Sequence, residues 1–62
     1  MVKLYRVVAV DGMEEYGVSI GDVCSLVKGF STTSAWFYSE SWLYDGTWVL
    51  DWVQLEEFTE TN

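Results

Sequence analysis

The chain has no proline, no histidine and a single cysteine, Cys24. Each absence removes a class of answer. One cysteine cannot form an intrachain disulfide. Without histidine, a zinc site would have to be assembled from one thiolate and carboxylates, an unusual ligand set. No metal or other cofactor is therefore expected. Cys24 has no Lys, Arg or His beside it in sequence to lower its pKa, and reads as a small buried hydrophobe. No run of about 18 apolar residues occurs, so no membrane span is expected. The opening "MVKLYRVVAV" has Arg6 inside its apolar run and Asp11 just after it, which does not read as a signal peptide. A lone unpaired cysteine suits a reducing compartment, and the expectation is a soluble, cytoplasmic protein.

Cations are also scarce. Three Lys and Arg stand against ten Asp and Glu, giving a net charge of −7. Such a surface repels nucleic-acid phosphates and speeds encounter with a basic protein surface. Solubility alone also accounts for a charge of this size.

What the chain does have is aromatic bulk. Its 62 residues make one domain, 1–62, and four are tryptophan. A chain this short buries only about 60% of its unfolded surface. With no staple available, packing must supply the stability, and each aromatic side chain can bury roughly 150–250 Å². Three of the tryptophans fall in "SWLYDGTWVLDW", around Asp45-Gly46.

Strand signals dominate and helical periodicity is weak. "LYRVVAV" (Leu4–Val10) is rich in β-branched residues and stops at Asp11-Gly12. "DGMEEYGVSIGD" is broken by three glycines and four acids and reads as a long, partly ordered loop. "VCSLVK" (Val23–Lys28) and "AWFYSE" (Ala35–Glu40) read as strands two and three. Asp45-Gly46 between apolar residues is a hairpin signal, since a type I′ turn needs positive φ at both central positions. In that register Leu43, Trp48 and Leu50 share one face, and Trp42, Tyr44 and Val49 the other. "DWVQLEEF" supplies a short fifth strand, with Val53 and Leu55 alternating against Gln54 and Glu56. The expected core is Val8, Val10, Ile20, Cys24, Leu26, Leu43, Trp48, Val53 and Leu55.

Five short strands with a long loop after the first point to a small all-β barrel, which removes most exposed edges. The order of elements resembles an SH3-like barrel. "LY" at Leu4-Tyr5 stands where such domains carry an Ala-Leu-Tyr motif, "SIGDVCSLV" resembles their Gly-Asp segment after the long loop, and "DWVQLEE" resembles their closing segment. The resemblance implies a five-stranded SH3-like barrel with Cys24 and Leu26 facing inward. It also places Tyr5, Trp36 and Trp52 at three positions of an aromatic peptide groove, with Glu14 and Glu15 as its acidic loop. The groove proline of that family has no counterpart near Val49. The whole layout, "YRVV…D…YGVSIGD…V…DGTWVL…VQLEEF", is similar to small accessory proteins encoded by bacteriophages, which implies a binder that modulates a host or phage protein.

Catalytic patterns are lacking. Glu14-Glu15 and Glu56-Glu57 are adjacent pairs that read as solvated surface. "GVSIGD" lacks the Lys-Ser/Thr of a phosphate loop, and "DGMEEYG" lacks calcium-loop spacing. A barrel this small fills its own interior. The expectation is a non-enzymatic protein–protein binding module. Its contact residues are Tyr5, Trp36, Trp42, Tyr44 and Trp52, rimmed by Glu14 and Glu15, and its partner is an unidentified protein with a basic surface. An apolar set left uncovered on the hairpin also suits a homodimer. The alternative is an acidic mimic of nucleic acid that occupies a DNA- or RNA-binding enzyme. Single-stranded nucleic-acid binding by stacking on Trp36, Phe37, Tyr38 and Trp42 lacks its cationic groove, since Lys3, Arg6 and Lys28 are the only bases.

Overall fold

A computed structural model describes residues 3–58. The fold is all-β, with five antiparallel strands in one sheet: β1 (Leu4–Val7), β2 (Val23–Gly29), β3 (Ser34–Tyr38), β4 (Thr47–Asp51) and β5 (Leu55–Phe58). The only helical segments described are two 3₁₀ turns, Met13–Tyr16 and Trp52–Gln54. The spatial order is β4-β3-β2-β1-β5. β4 and β5, consecutive in the chain, therefore occupy opposite edges, joined by the turn Trp52–Gln54. A 3₁₀ turn rises about 2 Å per residue, so this link covers about 8 Å. The edges of a flat five-stranded sheet lie about 19 Å apart. The sheet must curl until its edges approach, and the small β-barrel-like shape follows.

Alternation fills the interior. Tyr5 and Val7 of β1, Cys24 of β2, Ala35 and Phe37 of β3, Leu50 of β4 and Leu55 of β5 point inward and are buried, joined by Val18 and Trp42 from the long connections. Val10, Met13, Tyr16, Leu26 and Trp48 pack against this cluster at its margins. Of the expected core, Cys24 and Leu55 are buried and Val10, Leu26 and Trp48 half-buried.

Val8, Ile20, Leu43 and Val53 are instead exposed. β1 stops at Val7. Beyond it the backbone turns away, with Val8 and Ala9 N–H donating to the Gln54 carbonyl. Ile20 sits at the tip of a tight turn in which Asp22 N–H donates to the Ser19 carbonyl, and Val18 takes the core position. The 3₁₀ winding of Trp52–Gln54 replaces strand alternation, so Gln54 turns in and Val53 turns out, 84% exposed.

The expected Asp45-Gly46 hairpin is also corrected. β4 pairs with β3 in the register Trp36↔Val49 and Phe37↔Trp48. The segment 39–46 forms two successive turns, closed by Trp42 N–H to Ser39 O and by Gly46 N–H to Leu43 O. Positive φ falls on Tyr44 (64°) and Gly46 (80°) and not on Asp45. Asp45 caps the start of β4 through its side chain, which accepts the Thr47 N–H at 2.9 Å. Leu43 is thereby removed from any strand, and Trp42 swings beneath the loop into the core.

Candidate functional site

The long connection after β1 and the connection after β3 meet. Leu43 N–H donates to the Tyr16 carbonyl at 2.9 Å, and Gly17, at φ 85°, leaves room for Leu43, whose Cγ and backbone N lie 3.3 Å from where a Cβ would stand. This junction stacks three aromatic rings. Tyr16, the last residue of the first 3₁₀ turn, lies over Trp48 of β4 with ring centroids 4.2 Å apart and planes tilted by 33°. Tyr44 approaches Trp48 from the loop, edge to face at 5.8 Å. The Trp48 indole N–H donates to the Leu43 carbonyl at 3.3 Å, tying strand to loop. Trp48 thus contacts both tyrosine rings.

Tyr44 is 84% exposed and Leu43 48%. Tyr44 occupies the first central position of the Leu43–Gly46 turn with φ positive, where glycine is the usual residue. A bulky side chain is uncommon in that conformation. Glu14 and Glu15 are exposed on the 3₁₀ turn that ends in Tyr16, and Asp45 is exposed beside Tyr44.

The contact patch expected from sequence does not form as one surface. Tyr5 and Trp42 are core residues, 8% and 4% exposed. Tyr5 points inward from β1 onto Phe37, edge to face at 5.5 Å. Trp42 is anchored by its indole N–H to Asp22 Oδ2 at 2.9 Å. Trp52 packs edge-on against both Tyr5 and Phe37, at 5.5 and 5.3 Å, and exposes only its outer side. Trp36 stands on the outer face of β3 beside Phe30, ring centroids 6.2 Å apart. Of the expected residues, Tyr44 stands in this ladder and Glu14 and Glu15 precede Tyr16 on its 3₁₀ turn, and Tyr16, Leu43 and Trp48 complete the set. Sequence reasoning assigned Leu43 and Trp48 to a shared hairpin face and left Tyr16 in a long, partly ordered loop. The signal for Tyr16 was its place before Gly17, which lets a chain reverse.

Charge divides by location. Arg6 donates to Glu56 Oε1 from Nε and Nη2, at 2.9 and 2.7 Å, and lies over the Phe58 ring. Lys3 stands 4.0 Å from Glu57. Two of the three bases are therefore matched along the β1–β5 pair. Among the described residues, exposed Asp11, Glu14, Glu15, Glu40, Asp45 and Asp51 have no basic partner.

An open groove of about 450 Å³ runs between β1 and the end of β3, lined by Leu4, Val23, Cys24, Ser25, Tyr38, Ser39, Glu40 and Ser41. Cys24 at its floor is buried, and burial, with the Asp22 carboxylate second, pushes its thiol up to about 12. At neutral pH it is a protonated, unreactive thiol. Among the described residues no three His, Cys, Asp or Glu side chains converge on a point that would hold a metal ion, and no helix is long and apolar enough to cross a membrane. No family model, no curated protein and no solved structure matches the chain.

Proposed function

We propose that this domain is a non-catalytic protein-binding module whose contact surface is the aromatic ladder Tyr16–Trp48–Tyr44 with Leu43, rimmed by Glu14, Glu15 and Asp45. The observation that carries the reading is Tyr44: the residue is 84% exposed while its backbone holds a conformation that costs energy for any side chain. Tyr and Trp supply large, rigid contact area at low entropic cost, and such rings dominate interface energetics. The acidic rim suits a partner with a basic surface and speeds encounter with it. On the resemblance to SH3-like phage accessory proteins, the partner is a bacterial host protein or a phage protein in the same cytoplasm.

The second reading, an acidic mimic that occupies a nucleic-acid-binding enzyme, draws support from the location of the charges. Two of the three bases, Lys3 and Arg6, are matched on the β1–β5 side, which leaves the acids of the connecting segments without basic partners among the described residues. The two readings respond differently to salt, because exposed charge pairs are screened and apolar contacts are not. The test is capture from bacterial lysate with the parent chain and with Tyr44→Ser, at low and at high salt. A binder of the first kind loses its captured protein on Tyr44→Ser and keeps it in salt. A mimic keeps it on Tyr44→Ser and loses it in salt. Retention of the same captured protein by Tyr44→Ser at high salt sinks both.

A further inference from the structure

The outer face of the sheet carries a second apolar surface, independent of the aromatic ladder. Ala35 and Phe37 of β3 are fully buried, so Trp36 and Tyr38 point outward, while Ser34 shares their face but is itself buried, its hydroxyl bonded to that of Ser31. Cross-strand partners share a face. Lys28, Trp36 and Val49 therefore form a row across β2, β3 and β4, and Asp51 stands one step along in the row of Ser34. Phe30, 64% exposed, packs edge-on to Trp36, and Tyr38 is 43% exposed. The face is thus apolar at its centre, with one cation on its β2 side and one anion on its β4 side. Lys28 is the one base without an ion-pair partner among the described residues.

We propose that this face is a self-association surface, and that its occupant is a second copy of the chain. The argument is charge complementarity. A two-fold axis lying along β3 at Trp36 sets β2 of one copy over β4 of the other. Trp36 then meets its own copy. Lys28 comes over the second copy's Val49, about 7 Å along the strand from its Asp51, a step that lysine's long flexible stem can cover. The symmetry makes the same contact twice. With a net charge of −7, two copies repel through most approaches. The charges of this face cancel and match under the two-fold axis.

The experiment is sedimentation equilibrium of the full chain from micromolar to millimolar concentration, with thermal melting to check that each variant folds. The parent chain is expected to dimerise. Lys28→Asp sets two acids opposite one another, and Asp51→Lys two bases, so each raises the dimer Kd about tenfold or more. An equimolar mixture of these two variants is expected to dimerise at least as well as the parent, because each charge again meets its opposite. Should Asp51→Lys not fold, Val49→Lys takes its place in the mixture, since position 49 lies opposite position 28. A parent chain that stays monomeric at millimolar concentration overturns the proposal. So do single reversals with unchanged Kd, or a mixture no stronger than either variant alone.

Discussion

The indole N–H of Trp42 donates to Oδ2 of Asp22 at 2.9 Å, and the same oxygen accepts the backbone N–H of Ser19 at 2.9 Å. One carboxylate thereby pins the connection after β3 to the end of the connection after β1. Trp42 is 4% exposed, so its loss removes both a core ring and a buried donor. Trp42→Ala is expected to cost roughly 3–5 kcal/mol in urea unfolding. Trp42→Phe keeps a ring but leaves Asp22 without its indole donor, at about 1–3 kcal/mol. A Trp42→Phe chain as stable as the parent would show that the hydrogen bond contributes nothing.

Cys24 links burial to pH. Its thiol is raised from 9.0 to about 12, by burial first and by Asp22 second. The unfolded chain ionises this thiol near 9 and the folded chain does not. Stability from the buried thiol is therefore complete below about pH 9 and is lost as pH rises toward about 12, on the order of 3–4 kcal/mol across the window. The parent chain is expected to weaken more than Cys24→Ala over that range. Equal slopes for the two chains would remove Cys24 as the cause. Below that range, alkylation by a soluble thiol reagent should be slow and should accelerate in denaturant.

Gln54 closes the barrel from within. It is 6% exposed, donates through Nε2 to the carbonyls of Ala9 and Val10 at 3.2 and 3.0 Å, and accepts the Asp51 N–H at 3.0 Å. Gln54→Leu removes the side-chain partner of the Ala9 carbonyl and of the Asp51 N–H, while the Val10 carbonyl keeps the Met13 N–H, and is expected to cost on the order of 2–4 kcal/mol. Val53→Gln, at a position 84% exposed, should stay within about 0.5 kcal/mol of the parent. If thermal melts reverse that ranking, the 3₁₀ winding of Trp52–Gln54 is wrong.

These positions mark where the sequence was readable. Strand content and order followed from β-branched runs broken by Gly and Asp, and Cys24 read as buried from composition alone. The rest depended on winding and on long-range contacts. "WVQL" reads as alternating strand, and nothing local announces that a three-residue 3₁₀ turn will bury the amide and expose the valine. Asp45-Gly46 carries the chemistry of a two-residue hairpin, but strand pairing went to Phe37↔Trp48, because that register lets Phe37 and Leu50 share the interior. Tyr5 was assigned to the surface by the groove of the SH3-like resemblance, and Trp42 by the hairpin register, in which a face cannot be called inner or outer before the sheet curls. Tyr44 stayed on the surface in either register, which is why it was legible.

Gly46 is the most tightly enclosed of the described glycines. Its φ is 80°, and a Cβ there would stand 2.7 Å from the Ser39 carbonyl oxygen and 2.9 Å from Cε1 of Tyr38. The Ser39 oxygen is backbone and cannot rotate away. Gly46→Ala is expected to destabilise by about 2–4 kcal/mol, from the positive φ and the overlap together. Gly12→Ala has a positive φ of 91° but open space around it, and should cost only about 1–2 kcal/mol. Similar losses at the two sites would show that the overlap at Gly46 relaxes freely.

Tyr44 separates binding from folding. Its positive φ costs a side chain about 1–2 kcal/mol relative to glycine, and its edge contact with Trp48 returns about 0.5–1.5 kcal/mol. Tyr44→Gly loses both and is expected to match or exceed the parent in stability. Tyr44→Ser keeps the backbone cost and loses the ring, so it should melt below Tyr44→Gly, each within several degrees of the parent. If the ring is the contact of the proposed interface, both variants should fail to capture the partner, whichever way their stability moves. A chain that gains stability by losing Tyr44 and loses binding with it would show that the residue is retained for contact. A Tyr44→Gly chain that melts several degrees lower while still capturing the partner would instead assign the ring to packing against Trp48.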